Sequence, residues 1–203
     1  MKIGIINYGA GNINKVLKAV QYFHKDCKII NNPSDLKSVD KIILPGQGAY
    51  QNAINNLKLS ILYEPLINDI NQGKPILSIC LGMQLLFKAS EEFDNCHGLN
   101  IFSARVKKLK IQEYSVPIIG WYKLVASKKN SSSEVFDIKT QDYFYFAHSM
   151  FCDFKGEDVS YYVMYGDKKI PSVIQTDNIF ATQFHPELSS KPGLRIIQNF
   201  INI

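Results

Sequence analysis

The sequence lacks the features that mark membrane-spanning, secreted and zinc-binding proteins. No uninterrupted apolar run reaches the ~18 residues that a helix needs to cross a bilayer, and Met1-Lys2 lead directly into a strand-like segment rather than a signal peptide. The cysteines have no C-x-x-C spacing, which disfavours a zinc site or a redox pair. We therefore expect a cytoplasmic protein with no metal, no other cofactor and, in a reducing compartment, no disulfide framework. Its cysteines are Cys27, Cys80, Cys96 and Cys152.

Concentrated basic charge is also missing, although the net charge is +5. The lysines are scattered among acidic residues and form only short clusters, at 107–110, 128–129 and 168–169. A nucleic-acid-binding surface gathers basic residues on one face, with aromatic residues between them. The pattern instead indicates a solvated surface, and we expect neither a nucleic acid nor a membrane as a partner.

Length and periodicity predict a single α/β domain over residues 1–203. A chain of this length with 46% hydrophobic residues can bury one substantial core. Short Ile-rich segments are typical of strands buried on both faces, and they alternate with stretches of helical periodicity. The predicted strands are 2–7, 27–30, 41–44 and 75–80, and the predicted helices are 12–24 and 49–71. This alternation indicates a mostly parallel, doubly wound central sheet with flanking helices.

After residue 100 the pattern changes to closely spaced strand-like segments. These segments are 104–111, 143–149, 158–166, 170–176 and 178–184. They indicate antiparallel strands added to the sheet in the C-terminal half. A Ser-rich surface loop is predicted at 127–136 and a final helix at 192–201.

The segment PILSICLGMQLLF, residues 75–87, reads as a buried strand that runs directly into an amphipathic helix. Cys80 stands at the carboxyl end of that strand, where doubly wound sheets bind their ligands. It also precedes a helix N-terminus, whose partial positive charge stabilises a thiolate. The pattern SICLG, residues 78–82, has the form of a nucleophile elbow. We predict that Cys80 is a nucleophile with its sulfur exposed above the sheet; a buried packing cysteine is the alternative.

The segment ATQFHPELSS, residues 181–190, supplies the base that a cysteine nucleophile needs. A predicted strand, 179–184, ends before His185, and Pro186 stops it because proline cannot continue a central ladder. Glu187 follows two residues after the histidine. A carboxylate that accepts the proton of one imidazole nitrogen fixes the tautomer, while the other nitrogen faces the thiol. We therefore predict that Cys80, His185 and Glu187 act together.

An acyl-transfer site also needs donors for the developing oxyanion. The segment LPGQGAY, residues 44–50, follows a predicted strand, and its glycines allow backbone amides to point at a ligand. Leu81, directly after the nucleophile, offers a second N–H. By contrast, NYGAGN at 7–12 is followed by Asn14 where a dinucleotide fingerprint has its third glycine, so a nicotinamide site is not expected.

Motifs spread over the whole chain resemble those of the class I glutamine amidotransferase family. They are NYGAGN, LPGQGAY, KPILSICLGMQLLF, GLNIFSARV, PIIGW, YFYFAHS, ATQFHPELS and GLRIIQNF. Within that family the chain is similar to the glutaminase subunits that serve histidine biosynthesis. The resemblance implies the classes hydrolase and lyase, and hydrolysis of L-glutamine to glutamate and ammonia. It also implies a heterodimer, in which a (β/α)8-barrel cyclase or synthase subunit receives the ammonia.

The resemblance implies roles for individual residues as well. Cys80, His185 and Glu187 match the family's catalytic triad, in which Cys80 attacks the side-chain amide of glutamine and forms a glutamyl thioester. Gln47 and Leu81 match the oxyanion hole. The positions that match substrate-binding residues are Gly46, Gly48, Gly82, Gln84, Glu92, Ser149 and Met150. Trp121, the only tryptophan, suits an anchor for the partner, with a packed core ring as the alternative.

Several positions outside the triad depart from the relatives in histidine biosynthesis. Ser78 stands where they usually have glycine, but it is small enough to keep the elbow. The other departures are Ile118, Ile119, Tyr122 and Met150. Because residues 118–122 lie in the segment that the resemblance places toward the partner, the identity of the synthase stays open. The alternatives are a synthase that aminates a bacterial surface-sugar precursor, a freestanding cysteine hydrolase of the same fold, and a catalytically silent binding subunit.

Overall fold

The computed structural model describes residues 1–92, 96–111, 114–127 and 133–203. Its strands are β1 (Ile3–Ile6), β2 (Cys27–Ile30), β3 (Lys41–Leu44), β4 (Ile76–Ile79), β5 (Phe87–Ser90), β6 (Cys96–His97), β7 (Phe102–Lys108), β8 (Ile118–Tyr122), β9 (Leu124–Ala126), β10 (Phe144–His148), β11 (Met150–Asp153), β12 (Val159–Tyr165), β13 (Lys168–Gln175) and β14 (Ile179–Thr182). Its helices are α1 (Ile13–Gln21), α2 (Pro33–Lys37), α3 (Tyr50–Leu59), α4 (Tyr63–Asn71), α5 (Leu81–Leu85) and α6 (Ser190–Asn202), and a 3₁₀ turn spans Pro186–Leu188.

An eight-stranded sheet forms the centre of the molecule, in the order β2-β1-β3-β4-β14-β13-β12-β9. The pairings from β2 to β14 are parallel, and β13, β12 and β9 extend the sheet as antiparallel strands. Two smaller sheets have the orders β10-β8 and β11-β7-β5-β6. This architecture confirms the predicted α/β fold with its mostly parallel centre and added antiparallel strands. The segments 104–111 and 143–149 do not join the central sheet as predicted, because β7 and β10 belong to the smaller sheets, and β14 pairs in parallel with β4.

Both faces of the central sheet are covered, which explains why its strands are continuously apolar instead of alternating. All residues of β1, β3, β4 and β14 are buried. Ile5 and Ile43 share a hydrophobic cluster with the buried residues of α1, whereas Ile6 and Ile42 share the other cluster with those of α3 and α4. The sheet therefore presents only its strand ends to a ligand.

The predicted helix 49–71 is wrong, because the segment forms two helices, α3 and α4, that are separated at Ser60. The Ser60 hydroxyl donates a hydrogen bond to the Leu57 carbonyl and accepts one from the Leu62 N–H, at 2.8 and 3.3 Å. Pro65 lies in the first turn of α4, where a missing N–H is tolerated. The same proline inside one continuous helix would have broken it.

The helix predicted after Cys80 is present but is short and fully buried instead of amphipathic. Helix α5 spans five residues, all of them buried, and Phe87 already begins β5, which pairs with β6 and β7. A helix that is apolar on all sides packs inside a protein and has no solvent face. The short helix α2 was not predicted, although Asn32, whose side chain accepts from the Asp35 N–H at 2.9 Å, is a standard N-cap.

Two other expectations concern the second half of the chain. Of the predicted surface loop 127–136, residues 128–132 lie outside the described residues, as does the lysine cluster at 128–129. Val135 and Phe136 are buried, so the surface prediction is wrong for them. In the described ranges no helix combines the length and the apolar character that crossing a bilayer requires, and no group of three or more His, Cys, Asp and Glu side chains is placed to hold a metal ion.

Lys41 joins the central sheet to the last helix. Its side chain is buried, and its ammonium group donates hydrogen bonds to the carbonyls of Phe200 and Ile201, at 3.0 and 2.7 Å, and to that of Ile203. The last carbonyls of a helix have no partner within the helix. Burial lowers the pKa of Lys41, and the charge of Asp40 partly opposes that effect. Lys41 therefore caps α6 from the neighbouring strand.

Replacing this cap should destabilise the whole domain. We expect Lys41→Met to lower the free energy of unfolding by about 2 kcal/mol, because buried carbonyls at the end of α6 lose a charged donor. Lys25→Met, at an exposed position, should change it by less than about 0.5 kcal/mol. Urea unfolding of both variants measures the difference, and equal stabilities would contradict the capping role.

Candidate active site

Cys80 occupies a strained turn between β4 and α5. Its φ and ψ angles are 53° and −107°, a conformation that costs free energy for any residue with a Cβ atom. The Cys80 N–H donates to the Thr182 carbonyl at 2.7 Å, which ties the turn to the end of β14. The nucleophile-elbow geometry that the SICLG pattern predicts is therefore present at the junction of β4 and α5.

Gly82 and Gly46 allow two backbone segments to touch behind the elbow. A Cβ atom on Gly82 would lie 2.1 Å from the Leu44 carbonyl oxygen, and one on Gly46 would lie 2.4 Å from the Gly82 nitrogen. Neither distance leaves room for a side chain. The loop after β3 is thus packed directly on the first turn of α5, and Tyr8 braces it by donating its hydroxyl to the Pro45 carbonyl at 2.6 Å.

His185 and Glu187 lie where β14 leaves the sheet. The Nδ1 atom of His185 is 2.9 Å from Oε1 of Glu187, and the Cys80 side chain hydrogen bonds to the same imidazole ring. The His185 backbone is fixed because its N–H donates to the Tyr145 carbonyl and its carbonyl accepts from the Ser189 hydroxyl. The structure thus brings the three predicted side chains into one hydrogen-bonded row.

The electrostatics of this row favour a charged imidazole. Burial alone lowers the pKa of His185, but the hydrogen bonds and negative charges of Cys80 and then Glu187 outweigh burial and raise that pKa to about 10. Both flanking side chains are nearly inaccessible, with Glu187 only 3% exposed. A proton that leaves the thiol therefore finds a basic nitrogen beside it.

A cavity of about 320 Å³ opens onto the elbow. Most of the predicted site residues line it: Gln47, Gly48, Cys80, Leu81, Gln84, Glu92, Ser149 and Met150. Gly46, Gly82, His185 and Glu187 are not among its lining residues. Cys80 is only 5% exposed, so the prediction of a sulfur exposed above the sheet is wrong. The reason is that Pro117, Ile119 and residues 147–150 cover the strand ends and leave the sulfur in the wall of the cavity.

Two side chains place a negative charge and hydrogen-bond acceptors in the cavity. Oε2 of Glu92 accepts a hydrogen bond from the Tyr50 N–H at 2.7 Å. The amide nitrogen of Gln84 donates to the Met150 carbonyl at 3.2 Å and to Oε1 of Gln183 at 3.0 Å. Because both Gln84 N–H groups point into the protein, its carbonyl oxygen is left to face a ligand. This chemistry suits an ammonium group.

The predicted oxyanion residues line the same cavity as the thiol. Leu81 begins α5, where the first N–H groups of a helix have no carbonyl partner within the helix. Gln47 and Gly48 are exposed, and Gly48 has a φ of +100°, which only glycine adopts readily. The loop is therefore braced at Pro45 by Tyr8 and exposed at Gln47 and Gly48.

His148 also lines the cavity, although the sequence did not single it out. Its Nδ1 lies 2.8 Å from the Met150 carbonyl, and because a carbonyl only accepts, that nitrogen carries the proton. Its Nε2 is buried and has no hydrogen-bond partner among the described residues. Burial lowers the pKa of His148 to about 4; the bond to Met150 opposes this effect and the charge of His185 adds to it. His148 is therefore a neutral acceptor.

The described residues also show which departures from the family pattern can affect a partner. Ile118 is fully buried, and the Tyr122 ring packs on Phe146 and Tyr165. Ile119, in contrast, is 60% exposed at the edge of the cavity. Because alternate residues of a strand point to opposite sides, the residues of β8 differ in exposure, and which of them face a partner stays a prediction. Only Ile119 among these departures lies on the surface.

Three residues of the site were missed by the sequence analysis. Gln183 is fully buried with its amide nitrogen 3.7 Å from the Cys80 sulfur. His148 and Tyr8 were quoted only inside motifs. Tyr8 lies in NYGAGN, so a signal existed, but no charge or spacing marks Gln183, whose contact is made across 103 positions of the chain.

Comparison with known proteins agrees with this geometry. Residues 4–203 match the family model for class-I glutamine amidotransferases, and the chain belongs to that family. Two solved structures share the fold over the chain's length: a glutamine amidotransferase with a TM-score of 0.76 and 17% identity, covering 100% of both chains, and PurLQS from Thermotoga maritima with a TM-score of 0.74 and 16% identity, covering 99% and 97%.

Curated relatives indicate a particular branch of the family, because they match at 36–43% identity over nearly their whole length. The imidazole glycerol phosphate synthase subunit HisH of Caldanaerobacter subterraneus is 41% identical and that of Methanocaldococcus jannaschii 43% identical, covering 98% and 99% of this chain and 96% and 99% of the relatives. Subunit HisH 1 of Campylobacter jejuni is 40% identical over 99% of this chain and 100% of its own length.

The lowered pKa of His148 predicts how the stability of the protein depends on pH. The pKa of His148 is about 4 in the folded chain, against an ordinary value of 6.5. Between pH 6.5 and 4 this histidine is therefore protonated in the unfolded chain but neutral in the folded chain. Its contribution to stability is therefore lost as the pH falls from 6.5 toward 4, by about 3 kcal/mol in total. The free energy of unfolding, measured by urea titration at several pH values, should fall accordingly.

His148→Gln should remove this part of the pH dependence. His97→Gln, at an exposed position on β6, should leave it intact and serves as the matched control. A His148→Gln variant that loses stability between pH 6.5 and 4 as steeply as the original chain would contradict the assignment of His148 as the buried neutral histidine.

Proposed function

We propose that this chain is the glutaminase subunit of imidazole glycerol phosphate synthase, and that it hydrolyses L-glutamine through Cys80, His185 and Glu187. The observation that carries the proposal is the hydrogen-bonded row of these three side chains in the wall of a cavity of about 320 Å³. The relatives named as subunit HisH support the choice of pathway. Of the two enzyme classes expected, lyase is wrong for this chain, because its family and its thiol, imidazole and carboxylate support amide hydrolysis.

The first half of the reaction forms the thioester. The Cys80 thiol gives its proton to the free ring nitrogen of His185, while Glu187 holds the other nitrogen and stabilises the imidazolium. The thiolate attacks the carboxamide carbon of glutamine, and its oxygen becomes an oxyanion bound by the N–H of Leu81 and the loop at Gln47. When the intermediate collapses, the C–N bond breaks and His185 returns its proton to the leaving nitrogen, which departs as ammonia.

The second half releases glutamate. His185, again neutral, removes a proton from a water molecule as that water attacks the glutamyl thioester. The C–S bond breaks, and His185 returns the proton to the sulfur. Each cycle therefore consumes one glutamine and one water and yields one glutamate and one ammonia.

Substrate selection follows from the polar groups of the cavity. The Glu92 carboxylate and the free carbonyl oxygen of Gln84 suit the α-ammonium of an amino acid, whereas a peptide-bound glutamine carries no such charge at that position. The backbone at Ser149 and Met150 completes the wall. These groups favour free glutamine over the substrates of a freestanding cysteine hydrolase.

The ammonia must reach a second subunit before bulk water protonates it. Ile119, Trp121, Tyr143 and Tyr145, which we call the aromatic face, lie on or next to the paired strands β8 and β10. Trp121 is 49% exposed, and its ring lies 5.9 Å from that of Tyr145. Because Ile119 also lines the cavity, the aromatic face continues to the mouth of the site. We propose that a (β/α)8-barrel cyclase docks there.

Glutamine hydrolysis tests the proposed triad. We expect Cys80→Ala to abolish glutamate production and Glu187→Gln to lower it by about 10²- to 10⁴-fold with an unchanged fold, because the imidazolium loses its charged partner. The assay measures glutamate released by the chain together with the cyclase subunit. Turnover that survives in Cys80→Ala would contradict the nucleophile, and full activity in Glu187→Gln would leave that carboxylate without a role.

Trp121→Ala tests the docking face. We expect this variant to need at least about tenfold more cyclase subunit for half-maximal stimulation of glutamine hydrolysis, since a buried tryptophan is a typical interface hot spot. Leu59→Ala removes another exposed apolar side chain, at the end of α3, that is not among the residues lining the cavity, and this variant should bind the cyclase subunit as the original chain does. Both variants should keep the unstimulated rate.

Three results would change the proposed partner or its docking surface. Equal partner affinity of Trp121→Ala and Leu59→Ala would place the docking surface elsewhere. If the cyclase subunit gave no stimulation and a synthase that aminates a surface-sugar precursor did, the same glutaminase chemistry would serve that second pathway. A high rate without any partner would instead favour a freestanding hydrolase.

A further inference from the structure

The Gln183 side chain contacts the reactive sulfur but has no place in the mechanism derived above. Gln183 follows β14 and is fully buried, and its amide nitrogen lies 3.7 Å from the Cys80 sulfur. We propose that Gln183 is a further catalytic residue, whose N–H donates a hydrogen bond to the Cys80 sulfur and stabilises it as a thiolate before glutamine binds. This inference rests on the proposed role of Cys80 as the nucleophile.

The orientation of the Gln183 amide follows from a chain of hydrogen bonds with only one consistent direction. The Met150 carbonyl can only accept, so the amide nitrogen of Gln84, 3.2 Å away, must be the donor there. The same nitrogen, 3.0 Å from the Gln183 oxygen, donates its second hydrogen to that oxygen. The oxygen of Gln183 thus faces Gln84, and its NH₂ group is left to face the sulfur.

The contact is worth more to a thiolate than to a thiol. A hydrogen bond to a charged acceptor is roughly twice as strong as one between neutral groups. Water cannot replace the donor, since Gln183 is fully buried and Cys80 nearly so. When the proton passes from the sulfur to His185, the sulfur gains negative charge and the Gln183 N–H, which keeps its own proton, remains as the donor to it.

Other titratable groups around the sulfur do not compete for its proton near neutral pH. Tyr8 and Cys152 are influenced by the charge of Cys80, and burial, followed by that charge, raises the pKa of each. Both therefore stay protonated. His148 stays neutral, Glu92 lines the cavity, and Glu187 contacts the far side of the imidazole. Among these groups, His185 is therefore the one that accepts the proton of Cys80.

The test is the pH dependence with which iodoacetamide alkylates Cys80, followed by mass spectrometry of the peptide that contains it. Gln183→Met keeps the length of the side chain and removes the donor. We expect the apparent midpoint of thiolate formation to rise by about one pH unit, corresponding to a tenfold slower alkylation below that midpoint. Gln175→Met, the same change on the neighbouring strand β13, should leave the midpoint unchanged.

A second variant keeps the proposal falsifiable if Gln183→Met does not fold, as judged by circular dichroism. Gln84→Met leaves Gln183 in place but removes the donor that fixes its orientation, so the midpoint should shift in the same direction by a smaller amount. An unchanged midpoint in whichever of the two variants folds would overturn the proposal.

This readout is independent of the proposed function, because iodoacetamide replaces glutamine and no partner subunit is added. A chain that fails to hydrolyse glutamine, yet shows the shifted midpoint, would contradict the proposed function and leave the role of Gln183 intact. Normal hydrolysis together with an unchanged midpoint in the folded Gln183→Met variant would contradict the role of Gln183 alone.

Discussion

The parallel pairing of β4 with β14 is the constraint on which the whole site depends. It aligns Ser78 with Ala181 and Ile79 with Thr182, so the two strands end at the same level of the sheet. The bond from the Cys80 N–H to the Thr182 carbonyl continues that pairing into the elbow. The two side chains that contact the sulfur from this strand belong to the few residues after β14. Gln183 approaches it from one side and His185 from another, because the chain must turn out of the sheet at Pro186.

Burial lowers the pKa of both histidines near the cavity, yet the net shifts have opposite signs. His148 donates to a neutral carbonyl, which favours the charged ring less than desolvation disfavours it, so its pKa is held at about 4. His185 is almost as deeply buried, but it lies between a thiol and a carboxylate, and their hydrogen bonds and charges reverse the sign of the shift. The position of a histidine in a cavity therefore does not decide its protonation state. Its hydrogen-bond partners decide it.

Much of the frame and the central row could be predicted from the sequence, because both depend on local signals. Strands β2 and β3 occupy the predicted residues 27–30 and 41–44, since short Ile-rich segments between turn residues have few other solutions. The end of helix α5 and the start of strand β5 could not be predicted, because an apolar run such as MQLLF fits a buried helix and a buried strand equally well. Gln183 was not predicted as a site residue for a different reason, because its role depends on Gln84 and Cys80, which are distant in sequence.

The depth of the sulfur links the chemistry to the need for a partner. A thiol in the wall of a covered cavity is shielded from bulk solvent, although single water molecules can still enter the cavity. In the proposed complex, ammonia released beside it leaves through the mouth that Ile119 borders, next to the aromatic face. A subunit docked over Trp121 and Ile119 therefore both buries exposed apolar surface and closes the exit to solvent. The same contact that stabilises the complex would then direct the product, so the two requirements do not need separate surfaces.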